Sequence, residues 1–159
     1  MTKPQHVGRK LFAALFAASL TVLAAPAAGA QAAAPQARNL PAGNIFQLRN
    51  ENTGDCMEPK QDDRTDYLGT DYCDRQAGQA WTSHAGEIRN LESDKCIQDF
   101  GNGDAVATYC DEGLAQQWDF NNGWIHNRAT GACLADGGGY VYTTNCSDHS
   151  DEQWLAEQP

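Results

Sequence analysis

The sequence predicts an all-β domain made of one unit repeated three times, and three observations carry that prediction. A hydrophobic–polar–Asn tripeptide, two cysteines and a tryptophan recur in fixed order: Leu48–Asn50, Cys56, Cys73, Trp81; Ile88–Asn90, Cys96, Cys110, Trp118; Ile125–Asn127, Cys133, Cys146, Trp154. In every copy the tripeptide opens 8 residues before the first cysteine and the tryptophan follows the second by 8, and the tryptophans stand 37 and 36 residues apart. Such a period marks a repeat protein. Short strand-like runs alternate with turn residues, and no stretch after residue 30 holds an apolar 3.6-residue period long enough for a helix. Three copies are too few for a propeller, and a solenoid would need polar end caps that the sequence lacks. Closing the copies round a pseudo-threefold axis buries each hydrophobic face against the other two. That closure predicts a β-trefoil.

The segments follow in order. Residues 1–30 carry a basic start (Lys3, His6, Arg9, Lys10), an apolar run Leu11–Leu23 and the small-residue site Ala28-Gly29-Ala30. This pattern predicts an export signal cleaved after Ala30 and a secreted, extracellular product. The Ala-, Gln- and Pro-rich residues 31–43 offer little to bury and read as a flexible leader. The trefoil domain then spans residues 44–159, with copies at about 44–83, 84–120 and 121–156.

Copy one opens with a strand at Ile45–Arg49 and turns at Asn50–Asp55. Its stretch Pro59–Asp71 reads as an acidic loop carrying Asp62, Asp63 and Asp66. Copy two supplies strands at Glu87–Arg89 and Ala105–Tyr109, separated by the turn Gly101-Asn102-Gly103. In copy three, the turns Asn121-Asn122-Gly123 and Gly137–Gly139 bracket strands at Trp124–His126 and Tyr140–Thr143.

Six cysteines in an exported chain imply disulfides, with 15 possible pairings. Only pairing within each copy treats the copies alike, so Cys56–Cys73, Cys96–Cys110 and Cys133–Cys146 are expected. Trp81, Trp118 and Trp154, at constant distance from a cysteine, are expected in the core, each burying on the order of 200 Å². Trp124 has no counterpart in the other copies and is the tryptophan expected nearer the surface.

Charge narrows the partners. Three of the 11 basic residues precede residue 31 and all 21 acidic ones follow residue 50, so cleavage leaves 8 against 21, a formal charge of −13. That surface repels phosphate backbones and anionic headgroups, which argues against nucleic acid and membrane insertion as partners. The cysteine spacings fit no zinc pattern and His84, His126 and His149 occupy unrelated positions, so no metal or cofactor is expected. No nucleophile, phosphate loop or distinctive carboxylate pair is present, so no enzymatic activity is expected. The monomer is the expected state.

Gln79-Ala80-Trp81 and Gln116-Gln117-Trp118, with Glu152-Gln153-Trp154 in copy three, give a Gln-x-Trp motif after each cysteine pair. The chain thereby resembles the ricin-type β-trefoil lectin family (carbohydrate-binding module 13-like) over residues 44–156. In spacing it is similar to the actinohivin-type branch, small bacterial lectins of high-mannose glycans. The resemblance implies glycans or polysaccharide as partners. Gln79 and Gln116 are expected to bond to nearby backbone.

In the family a sugar-binding Asp stands two residues after the first cysteine, where this chain has Glu58, Gln98 and Ala135; Asp99 and Asp136 come one place later. The aromatics Tyr72 and Tyr109 are likewise displaced by one, and the Asn before Gln-x-Trp is replaced by Gly78, Ala115 and Asp151. The resemblance to the actinohivin type points to Tyr142 with Asn145 or Ser147. Copy three, through Asp136 and Tyr142, is therefore the preferred sugar site, with Glu58–Tyr72 and Asp99–Tyr109 as weaker candidates. Asp136 could instead be a solvated turn residue and Tyr142 a core filler. The incomplete sites leave a second reading open: a scaffold for a secreted or cell-surface protein, such as a protease inhibitor, with Pro59–Asp71 as the contact.

Overall fold

The computed structural model describes Leu40, residues 43–61 and residues 66–159. The expected signal, all but two residues of the leader, and Asp62 and Asp63 lie outside the described residues. The described residues form twelve strands: β1 (Gln47–Asn50), β2 (Cys56–Gln61), β3 (Asp66–Asp71), β4 (Trp81–His84), β5 (Glu87–Asn90), β6 (Lys95–Asp99), β7 (Ala105–Tyr109), β8 (Trp118–Asn121), β9 (Trp124–Asn127), β10 (Cys133–Asp136), β11 (Val141–Thr144) and β12 (Trp154–Glu157). A single 3-10 turn precedes each tryptophan strand, at Ala77–Gln79, Leu114–Gln116 and Ser150–Glu152.

Six strands make a barrel from the antiparallel pairs β1–β12, β4–β5 and β8–β9. The three pairs are joined where each tryptophan N–H donates to a carbonyl two residues before a tripeptide: Trp81 to Phe46, Trp118 to Gly86 and Trp154 to Gly123, each at 2.8 Å. The hairpins β2–β3, β6–β7 and β10–β11 form a triplet that caps one end. They meet through Tyr67 opposite Val106, Asp104 opposite Tyr142, and the Gly139 N–H on the Thr70 hydroxyl. This is the β-trefoil that the repeat predicts.

The core explains the punctuation. Trp81, Trp118 and Trp154 are buried, and their indole N–H groups donate to the carbonyls of Met57, Ile97 and Leu134 at 2.9, 2.9 and 3.0 Å. Each acceptor belongs to the residue after a copy's first cysteine, so the indole ties the barrel to its own hairpin. The disulfides are Cys56–Cys73, Cys96–Cys110 and Cys133–Cys146, as the repeat requires. Each tripeptide Asn is a buried staple. Asn127 accepts from the N–H groups of Ala129 and Thr130 and donates to the Ala115 carbonyl; Asn50 and Asn90 do the same for their own turns and for Asp151 and Gly78.

Two expectations change. Within Pro59–Asp71, residues 59–61 and 66–71 are strand and not loop: Pro59 pairs with Leu68, Lys60 with Tyr67 and Gln61 with Asp66, so the described part of the longer disulfide segment extends the β2–β3 ladder. Lys95 also ion-pairs with Asp66, drawing that carboxylate onto the hairpin of copy two. Tyr140 lies before β11, its carbonyl closing a turn with the Gly137 N–H at 2.8 Å.

The β4–β5 and β8–β9 hairpins turn on Ala85-Gly86 and Asn122-Gly123, with both residues of each pair at positive φ. Asparagine suits that turn and alanine does not, because Cβ crowds the left-handed region. We expect Ala85→Asn to stabilise the domain by about 0.5–1 kcal/mol, read as a raised urea midpoint with an unchanged slope.

Candidate functional site

Hairpin β10–β11 brings Tyr142 opposite Ala135 and Asp136 opposite Val141. Beside it lies an open cleft of 680 Å³, lined by Asp136, Gly137, Gly138 and Tyr142 of the hairpin, Asp148–Asp151 before the last tryptophan, and Asn52 and Thr53 of copy one. The half-buried Tyr142 donates its hydroxyl to Asp151 Oδ2 at 3.2 Å, and the Ser150 hydroxyl reaches Asn52 Oδ1 at 3.0 Å across the rim. The cleft thus combines an aromatic ring, two carboxylates (Asp148 and Asp151), hydroxyls and an amide.

Burial first, and the hydrogen bond to the Asp151 carboxylate second, hold the Tyr142 phenol above its ordinary value. A raised folded-state pKa favours the neutral phenol. Its contribution to stability is therefore complete below the unfolded value of about 10 and is lost as pH rises through the folded one. Spectrophotometric titration should show one late tyrosine that disappears in Tyr142→Phe and moves toward the ordinary value in Asp151→Asn.

Asp136 does not offer its carboxylate to the cleft. It is 3 % exposed, and its oxygens accept from the Thr53 hydroxyl (2.6 Å), the Thr70 hydroxyl (2.9 Å) and the Gly138 N–H (2.9 Å). Asp99 repeats this arrangement at 2 % exposure, with Thr130, Thr143 and the Gly101 N–H. Each carboxylate latches its own copy to two threonines of the next. The third latch is missing as a set, because the corresponding residues are Pro59, Ser93 and Ala107. Asp99 therefore belongs to a seam and is not paired with Tyr109: in the β6–β7 register Asp99 faces Ala105 while Tyr109 faces Lys95 at the far end.

The remaining candidates divide in the same way. Glu58 is held by an ion pair with Lys60 and accepts from Gln79 Nε2 at 3.2 Å. Gln79 and Gln116 bond to backbone, donating to the carbonyls of Tyr72 and Tyr109 and accepting from the N–H groups of Asp74 and Asp111. Their amides also meet Glu58 and Gln98, so the position two after the first cysteine serves the frame in these copies. In copy three the Glu152 carboxylate has no N–H to give, unlike the glutamine amides. It accepts from the Ser147 N–H and hydroxyl, and its partner position is the buried Ala135. Ser147 is thus occupied by Glu152, and its carbonyl takes the Trp124 indole N–H at 3.1 Å. Asn145 faces a different cleft, beside Asp99 and Thr130. Tyr72 and Tyr109 project into solvent, 79 % and 84 % exposed.

The seams of the other copies explain why copy three stands apart. Their clefts measure 470 Å³ (Pro59, Lys60, Asn90, Glu92, Ser93) and 370 Å³ (around Asp99 and Asn145), and among the described residues no aromatic side chain lines either. Where Tyr142 stands, copy one has Gly69, crossed by the stem of Lys60, and copy two has Val106. Sequence reasoning missed Asp148, Asp151 and Asn52. The available signal was Asp151, the one polar residue among Gly78, Ala115 and Asp151. Among the described residues, the two groupings near enough to share an ion (His126 with Cys133 and Cys146; Glu87 with Cys96 and Cys110) rely on disulfide sulfurs, which are not thiolate ligands.

Residues 44–155 match the model of the ricin-type beta-trefoil lectin domain. The chain belongs to that family. Its fold is shared by solved structures of low identity. The Vibrio vulnificus hemolysin/cytolysin β-trefoil lectin, solved with N-acetyl-D-lactosamine, is 18% identical at a TM-score of 0.65, covering 72% of this chain and 94% of that one. The C-half of an earthworm R-type lectin, solved with GalNAc, is 13% identical at 0.64, covering 73% and 99%. The designed threefold protein ThreeFoil is 15% identical at 0.64, covering 72% and 99%. No curated protein sequence matches this lectin-family domain at a significant level.

Proposed function

We propose that this lectin-family domain is an exported, non-enzymatic carbohydrate-binding module whose working site is the copy-three cleft. The carrying observation is that cleft's composition: the Tyr142 ring beside the Asp148 and Asp151 carboxylates and the Asn52 amide. An aromatic face covers the apolar side of a pyranose, carboxylates accept from its hydroxyls, and an amide fixes orientation. Two carboxylates beside His149 disfavour sialylated or sulfated sugars, so the ligand class is neutral glycan. The lectins of the same fold solved with N-acetyl-D-lactosamine and GalNAc support that class.

A glycan array at neutral pH tests the reading. Neutral glycans should bind, and Tyr142→Ala should weaken binding about tenfold or more, the scale of one lost ring contact with its hydrogen bond. Trp124→Ala should weaken it less, because that indole packs edge-on against His126 and bonds to Ser147 outside the cleft. Equal losses, or no binding to any neutral glycan, would overturn the proposal.

A further inference from the structure

A second cavity, of 370 Å³, lies where the three hairpins of the cap converge. Its floor is Leu68, Ala105 and Val141, each five residues before its copy's second cysteine; its rim includes Tyr67, Asp104 and Tyr140, each six before. The cup therefore sits on the pseudo-threefold axis, built once from all three copies. Phe100 and Tyr140 stand exposed over it, 58 % and 55 %, and Ala105 is the small floor residue that gives it depth.

We infer that this axial cup binds a small organic cation bearing apolar substituents, of the trimethylammonium class. Among the described residues, the rings of Tyr67, Phe100, Tyr140 and Tyr142 and the Asp104 carboxylate line it, with no Lys, Arg or His. An aromatic face attracts a cation through its quadrupole, and the apolar floor accepts methyl groups. The charges exclude the other classes. An anion meets the Asp104 carboxylate and a chain of formal charge −10. Among the described residues a bare metal ion finds one carboxylate and no further charged oxygen, and a neutral apolar ligand desolvates Asp104 without compensation. Asp104 is held in place by the Asn102 amide at 2.8 Å, so its position is set before a ligand arrives. The cup and the glycan cleft share only Tyr142, so the two sites are tested separately.

Calorimetric titration of the full domain with choline chloride tests the proposal, with 3,3-dimethylbutan-1-ol as the uncharged isostere. Choline should bind and the isostere should bind at least fivefold more weakly. Phe100→Ala should weaken choline about tenfold, within the range of a cation–aromatic contact, and Asp104→Asn about threefold, the scale of one exposed charge partner. Both side chains lie outside the buried core, and an unchanged near-ultraviolet spectrum with unchanged glycan binding confirms the fold. Phosphatidylcholine vesicles distinguish the source: choline alone binding assigns the free cation, while choline-displaceable vesicle binding supports the same chemistry on a lipid. No choline binding, equal binding of the isostere, or full affinity in both variants overturns the proposal.

Discussion

Reduction and alkylation of the three disulfides is expected to abolish the cooperative thermal transition of this domain. The bonds close segments of 17, 14 and 13 residues. Each restricts the unfolded chain by about 3 kcal/mol. Their removal therefore takes about 9 kcal/mol from a domain whose stability falls within about 5–15 kcal/mol. Each bond also joins the start of a hairpin to the segment after its end, next to the Gln or Glu that organises the 3-10 turn. Near-ultraviolet circular dichroism of the alkylated chain should be flat. A retained cooperative transition would show that the tryptophan core holds the trefoil without its crosslinks.

Asp99→Ala is expected to destabilise the domain by about 3 kcal/mol while leaving glycan affinity unchanged. The carboxylate accepts two threonine hydroxyls and one backbone N–H at 2.5–3.0 Å in a buried seam. Alanine leaves those donors without the acceptor that joins copies two and three. The molecule contains its own control. Ser93, the counterpart of Thr130, faces Pro59 at a seam with no latch, and its hydroxyl bonds within its own turn to Asn90. Thr130→Ala should therefore cost more than Ser93→Ala in urea denaturation. An Asp99→Ala variant within about 0.5 kcal/mol of the parent, the range of neutral surface changes, would remove the latch from the account.

The frame was legible because it is metrical. The constant interval of 8 residues from second cysteine to tryptophan places an indole N–H on the same carbonyl in every copy, and such regularity survives changes of neighbours. The candidate sugar-contacting residues were less legible because they depend on which face of a strand a residue occupies. Successive side chains in a strand point to opposite faces. Asp99 and Asp136, one place beyond the family's ligand position, turn into the seam and become latches. Their role was nonetheless written in the chain, since Asp, Thr and Thr occur together in two seams and Pro, Ser and Ala in the third. Asp148 and Asn52 were illegible for another reason. They lie in different copies, and only closure of the trefoil brings the Asn50 turn against the segment before Trp154.

The most direct test of the glycan site is amide chemical-shift mapping of the labelled domain, titrated with the tightest neutral glycan from the array. Shifts confined to Asn52, Gly138, Tyr142 and Asp148–Asp151 are the predicted result. Shifts centred on Glu58 and Tyr72, or on Gln98 and Tyr109, would contradict it.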